Sequence, residues 1–407
     1  MTANHQRDNV SGMWDEAARR QGQSRRSLLC QPAAPSPLAA GSDSESGRRH
    51  ALIDPFSPSR SSPSLAFHTL VMSQNRAAWY KTRLAQFEVD DAPMWTAEKG
   101  EVLVKMIKQY PFILGTDVAG EVVEVGEGVS NVKKGDRVLG HCKSLASGEP
   151  KHSAFQRFAV VDALLVSPIP DSLPLDQATV LPLGLSTAAS GLYPKRYLAL
   201  PYPKADAPNP EGKGKVLFVY GGSSSVGACA IQLGVASGLQ VITTCSPANF
   251  EFVKSLGAAE AFDYRTPKDE LVTKVVAEVE KQGSEYAGAF DAISEHGSVE
   301  TCAEVAIKAF GGKRQKFIAA TLPPPKELPD GISSEWIFAI DIALKEDAAV
   351  ARAVYHDFVT AALKAGSLQA KPDPLVVGKG LESVQKGLDR QKEGVSAKKV
   401  VVTAIQG

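Results

Sequence analysis

The stretch "KVLFVYGGSSSVGACAIQLGVASGLQVITTCS", residues 215–246, decides the fold. Its apolar run "KVLFVY" (215–220) breaks at a glycine–serine turn. An Ala-rich segment follows over about 226–237, and "QVITT" (240–244) opens a second run. A short, continuously apolar run before a Gly-rich turn reads as a strand buried on both faces, with a helix behind the turn. The turn, Gly222-Ser223-Ser224-Ser225-Val226-Gly227, has the spacing G-x-G-x-x-G with Ser224 at the second glycine position. Between a strand and a helix, that spacing marks a dinucleotide site. Gly222 is expected to permit the tight turn and Gly227 the close approach of helix to strand. N–H groups at the helix start, aided by the serine hydroxyls, would hold a pyrophosphate.

Downstream, the alternation continues. A helix is expected over about 248–256, then "AEAFDY" (259–264), a long helix over 268–281, "AFDAIS" (289–294), a helix over 298–309 and "KFIAA" (316–320). Apolar strands alternating with helices predict a parallel sheet covered on both faces. Gly238, Gly257 and Gly311 fall where helices need a left-handed terminal residue. Upstream, from 100 to 166, short runs such as "GTDVAGEVVEVG" and "KKGDRVLG" are broken by Gly and Asp and predict a mostly antiparallel β unit. The tail, from "LVVGKGLESV" to "KKVVVTA", reads as strand, helix, strand and is expected to rejoin that unit.

The end of the second strand bears on which nucleotide fits. An NAD site carries an Asp or Glu on the ribose about 20 residues after the turn. Here the strand ends "TTCSPANF", with no acid before Glu251. No carboxylate would then repel a 2′-phosphate, and Ser246, Asn249 and Tyr264 can donate hydrogen bonds to one. NADP(H) is the expected cofactor, although no Arg clamp is visible and Ser246 also reads as an ordinary helix cap.

At 407 residues the chain has room for two domains, and its 45 Lys+Arg balance 45 Asp+Glu. That balance gives no global field for nucleic acid or an anionic membrane. No apolar run reaches the length of a membrane-spanning helix. Five scattered cysteines (Cys30, Cys142, Cys229, Cys245 and Cys302) suit reduced thiols in a cytoplasmic protein. The first 71 residues hold twelve Ser, six Pro, eight Arg and no Lys, with no sustained period. They are expected to be disordered. The segment reads either as an organelle transit peptide, against which Asp8, Asp15 and Glu16 stand, or as an untranslated leader ahead of a natural start at Met72.

"LGTDVAGEVVEVGEGVSNVKKGDRVLG", "LPLGLSTAASGLY", "VYGGSSSVGACAIQLG" and "KSLGAAEAFDYR" together resemble the medium-chain dehydrogenases/reductases. The nearest likeness is to the zinc-independent quinone oxidoreductases and fungal trans-acting enoyl reductases. The resemblance covers about 72–407. It implies an α/β protein in which a GroES-like β-rich catalytic domain (72–190) is completed by the tail (372–407). A Rossmann doubly wound parallel-sheet domain (191–371) lies between them. It also implies hydride transfer from NADPH to a small-molecule or carrier-bound enoyl, enone or quinone, by a monomer or homodimer. Position by position, it gives residues 223–226 to the pyrophosphate. Ser246, Pro247, Ala248, Asn249 and Tyr264 would surround the 2′-phosphate, and Thr187 would lie near the nicotinamide. Thr187 has no motif of its own, and "LSTAAS" reads equally as a packed helix of small residues.

Two departures matter. Zinc-dependent relatives have Gly-His-Glu where this chain has Gly115-Thr116-Asp117, and no cysteine quartet is present, so no metal is expected. His141 beside Cys142 makes a poor tetrahedral site. The family also has a loop and short helix carrying Asn-Pro-x-Asp-x-Lys after "VLVK", where only "MIKQYPFI" separates Lys105 from Leu114 here. Roughly twenty family residues are missing. Either an exon is absent from the reading of the gene, or the protein is natural and impaired. The remaining residues name no catalytic acid, and a non-catalytic NADPH-binding protein is the rival expectation.

Overall fold

The computed structural model describes residues 76–79, 88–91, 101–105, 114–281, 285–310, 316–344 and 346–403. Every described residue belongs to one compact unit within 70–407. Expectations for the leader, Cys30, Gly311 and the shortened segment at 106–113 lie outside the described residues.

The first half is built of β-strands. β1 (Arg76–Trp79) and β2 (Glu88–Asp91) form an antiparallel pair. β3 (Glu101–Lys105), β4 (Asp117–Val125), β5 (Arg137–His141), β6 (Phe158–Asp162) and β7 (Val166–Pro168) make a five-stranded antiparallel sheet in the order β6-β3-β4-β5-β7. Val118, Val122, Val138, Val161 and Val166 close its core. β-branched residues suit this role because they pack well on a pleated surface.

The helix Pro182–Leu192 leads out of this unit and is buried almost end to end. Its small residues let it lie against the helix Ser225–Ala236: a Cβ on Gly184 would sit 2.9 Å from the Cys229 sulfur. Tyr355 pins it from the other side, its hydroxyl bonding Ser186 Oγ (2.7 Å) and Pro182 O (2.9 Å).

β8 (Lys215–Tyr220), β9 (Gln240–Cys245), β10 (Glu260–Asp263), β11 (Glu285–Asp291), β12 (Lys316–Ala320) and β13 (Ile332–Trp336) form an all-parallel sheet. Its order is β10-β9-β8-β11-β12-β13. The chain builds outward from β8 to β10, then crosses back through the helix Lys268–Lys281 to place β11 beside β8. That reversal opens a crevice at the carboxyl ends of β8 and β11, where open parallel sheets bind ligands. The α/β class, the antiparallel β unit and the parallel sheet with flanking helices are all as expected. Neither β13 nor the π-helical turn Arg352–Phe358, which carries Tyr355, has a signal in the sequence pattern.

β14 (Asp373–Lys379) and β15 (Lys398–Thr403) pair in parallel around the helix Val384–Lys392. Lys399 of β15 bonds Asp117 of β4 at 2.8 Å. Among the described residues, no helix is long and apolar enough to cross a membrane.

Candidate functional site

A cleft of about 1880 Å³ runs along the carboxyl end of the parallel sheet. Its walls come from the glycine–serine turn after β8, the end of β9, residues 115–117 and 154–157 of the β unit, and the tail around 395–399.

The turn is fixed by its neighbours. Gly221 N–H donates to Thr244 Oγ1 (3.0 Å) and Gly222 N–H to Thr244 O (2.9 Å), tying the turn to β9. Ser224 caps the helix Ser225–Ala236. Its hydroxyl donates to Gly221 O (2.9 Å) and accepts from Gly227 N–H (3.0 Å), so it is committed to the turn. The left-handed residue that makes the turn is Gly221, at φ +83°, and not Gly222 as expected. Gly222 is needed for a different reason: a Cβ there would meet Thr243 Oγ1 at 2.2 Å. On Gly227 a Cβ would meet Gly221 O at 2.3 Å, which makes the helix start inseparable from the turn. The N–H groups of Ser225 and Val226 remain for a ligand, as first-turn groups without an intrahelical acceptor.

Ser223, Ser224, Ser225, Ser246, Asn249 and Tyr264 line the cleft. Gly222, Val226 and Gly227 stand behind that wall, Val226 half-buried against the core. Pro247 and Ala248 are exposed on the far side of the short helical turn that Ser246 begins. Thr187 donates to Leu183 O (2.7 Å) within its own helix and does not line the cleft. Asn249 braces its surroundings: its amide donates to Ser246 Oγ and to Ser396 Oγ, both at 3.1 Å. Ser246 accepts that bond and keeps its own O–H to donate. Tyr264 is half exposed beside Arg265, which clamps Asp263 through Nε (2.9 Å) and Nη2 (2.8 Å). That clamp holds the Asp263 carboxyl below its ordinary pKa and offsets its charge.

Ser396 and Lys398 also line the cleft, and sequence reading missed both. They lie more than a hundred residues from Asn249 in a tail without a motif, so only the folded chain brings them there. Lys398 bonds Asp373 at 3.3 Å, but Asp373 is shared with Lys371 (2.5 Å), so positive charge is in excess.

His141 and Cys142 are both buried, and among the described residues no group of three or more His, Cys, Asp or Glu is placed to hold a metal ion. Burial depresses His141 to a pKa of about 4, partly countered by Asp117, and pushes the Cys142 thiol up. Burial also raises Cys229 to about 12 and Cys245 to about 11, so these thiols are protonated and inert at neutral pH. A buried neutral histidine has a consequence for stability. The unfolded chain binds the proton near pH 6.5 and the folded chain only near 4, so His141's contribution is intact above 6.5 and lost as pH falls towards 4. Unfolding free energy should drop by about 2 kcal/mol more between pH 7 and 5 in the wild type than in His141→Gln. Urea titrations at the two pH values measure this, and equal slopes would refute it.

Residues 81–171 match the Alcohol dehydrogenase GroES-like domain family. The chain is 39% identical to Dehydrogenase orsE of Emericella nidulans over 81% of its own length and 99% of that protein. It is 39% identical to Trans-enoyl reductase himH of Aspergillus japonicus, covering 81% and 97% of the two chains. Among solved structures, mycobacterial Rv1454c, determined in complex with NADPH, superposes with a TM-score of 0.56 at 18% identity, covering 81% and 98%. With the parallel sheet, its glycine–serine turn and the β unit all in place, this chain is an oxidoreductase and belongs to the medium-chain dehydrogenase/reductase superfamily, alongside fungal dehydrogenases and trans-enoyl reductases.

Proposed function

We propose that the protein is an NADPH-dependent, zinc-independent reductase acting on an activated C=C bond, of the enoyl or enone type, or on a quinone. The observation that carries this reading is that the glycine–serine turn and the β unit's residues 115–117 open into one cleft. The fit to a dinucleotide rests on the N–H groups of Ser225 and Val226 at the helix start, where the helix dipole also favours a pyrophosphate. The O–H groups of Ser246 and Tyr264 and the Lys398 cation suit a 2′-phosphate. The names of the fungal relatives and the NADPH complex of the mycobacterial protein support the same assignment.

When bound, the dihydronicotinamide supplies a hydride. The chain's own work is to hold the phosphates from the parallel-sheet wall and to present the electrophilic carbon from the β-unit wall, with bulk water kept out. Division into 72–190 with 372–407 and 191–371 is the domain arrangement this reading adopts. Thr187 would act from behind the wall, by packing. No residue is assigned as the acid that quenches the product anion.

Steady-state NADPH oxidation against enals, enones, enoyl thioesters and quinones tests the proposal. Activity with one of these classes, unchanged by exhaustive chelation, is expected. Stoichiometric zinc lost together with activity would refute the zinc-independent part. Tight NADPH binding with no turnover on any class would favour the non-catalytic binder, which the shortened 106–113 segment keeps in view.

A further inference from the structure

Among the described residues, Arg157 stands in the cleft without an acceptor. Its half-buried side chain lines the β-unit wall, as Phe155 and Thr116 do, and its Nε is shielded from water with no hydrogen-bond partner. Two carboxylates of the β unit are engaged elsewhere, and no ion pair joins Arg157 to Glu121, Asp176 or Glu295 of the cleft among the described residues. Asp117 accepts from Leu183 N–H (2.6 Å) and from Lys399 (2.8 Å), and Asp162, four residues beyond Phe158 on β6, is held by Lys143 (2.8 Å). Among the described residues nothing neutralises Arg157. A shielded donor left unpaired is costly, and native proteins rarely keep one that no ligand or water satisfies. A guanidinium is permanently charged and its planar fork matches carboxylate and phosphate oxygens.

We infer that Arg157 binds an oxyanion carried by the substrate, so that the cleft selects acidic substrates over their neutral counterparts. This rests on reading the cleft as the reductase site. The position favours substrate over cofactor. Ala154 N–H donates to Gly115 O (2.8 Å) and Phe155 N–H to Leu114 O (3.2 Å), which fixes Arg157 to the β-unit wall. The groups suited to the dinucleotide's phosphates, at 225–226 and 246, lie on the parallel sheet's side. The oxyanion is either the carboxylate of a free acid or the phosphate of a carrier's phosphopantetheine arm, and both present the same chemistry to Arg157.

The test is calorimetric titration of the full chain saturated with NADP⁺, using two probe pairs. One pair is 4-oxopentanoate and its methyl ester; the other is phosphopantetheine and pantetheine. In the wild type, at least one charged probe should bind about tenfold or more tightly than its neutral partner. Arg157→Gln should abolish that preference, and Arg157→Lys should keep part of it. Whichever pair shows the preference names the source of the oxyanion. Equal binding within both pairs overturns the inference. So does a tenfold loss of NADPH affinity in Arg157→Gln, which would give the guanidinium to the cofactor. Thermal unfolding separates a structural role: Arg157→Gln should unfold at or above the wild-type temperature, because it removes an unpaired buried donor. A drop of several degrees would contradict the inference. None of these readings needs turnover. Charge selectivity here, with no label transferred from deuterated NADPH to any substrate class, would sink the reductase reading while leaving the oxyanion site standing.

Discussion

Inserting roughly twenty residues that carry Asn-Pro-x-Asp-x-Lys between Lys105 and Leu114 should raise turnover about a hundredfold, with NADPH affinity moving by less than about threefold. The reason is where the flanks of that segment lie. Lys105, the last residue of β3, pairs with Phe158 of β6, and Leu114 accepts a hydrogen bond from Phe155. The two flanks, Lys105 and Leu114, thus meet one corner of the β unit, at the stretch 155–158 that carries Arg157. The groups proposed to hold phosphates are on the other wall, at 223–226 and 246–264. A defect at the corner misplaces the reacting centre without touching the phosphate cradle, and a displacement of about 1 Å can cost roughly a hundredfold in rate. Single-turnover rates and NADPH titrations on both chains measure the two effects separately. Turnover by the unmodified chain equal to that of a full-length relative would show that residues 106–113 already build a competent site.

NADPH should bind about ten- to a hundredfold more tightly than NADH. The adenosine end of the cleft offers the Ser246 O–H, which accepts from Asn249 and keeps its proton to donate, together with Tyr264 and the surplus charge at Lys398. Asp263, next to Tyr264 in the chain, is clamped by Arg265. Ser246→Asp should narrow or reverse the preference, because it places an unclamped carboxylate where the 2′-phosphate would sit. Titrating the two reduced cofactors by fluorescence decides it, and equal affinities for the wild type would remove Ser246 and Tyr264 from the site.

The fold was legible where one physical pattern dominates. The run 215–220, the turn behind it and the strand at 240–245 could be read because burial on both faces demands unbroken apolar residues. β13 escaped because "ISSEW" is a short polar strand at the sheet's edge, with only one neighbour to pack against. Tyr355 escaped because a π-helical turn has no composition of its own. Within the site, local motifs exposed the serines of the turn and of 246–249. They misassigned the tight turn to Gly222, because two adjacent glycines read alike in sequence: Gly221 takes the positive φ, and Gly222 is held by the close approach of Thr243. Arg157, Ser396 and Lys398 carry no spacing signal. Their place depends on strand pairing and on the return of the tail, which sequence separation hides.

Hydride transfer from NADPH to an electrophilic carbon is tested most directly by isotope tracing. Excess enzyme is incubated for hours with NADPH deuterated at C4 on either face, and with each enone, enoyl thioester and quinone in turn. The reduced product is then weighed by mass spectrometry. An enone or enoyl product should carry one deuterium, from one face only; a hydroquinone gives the transferred hydrogen up to solvent, so NADPH consumption is its readout. In an enone or enoyl product the deuterium lies at the carbon β to the carbonyl, accumulating slowly in the chain as it stands. NADPH that is bound but never consumed, with no label in any product, would contradict hydride transfer by this protein.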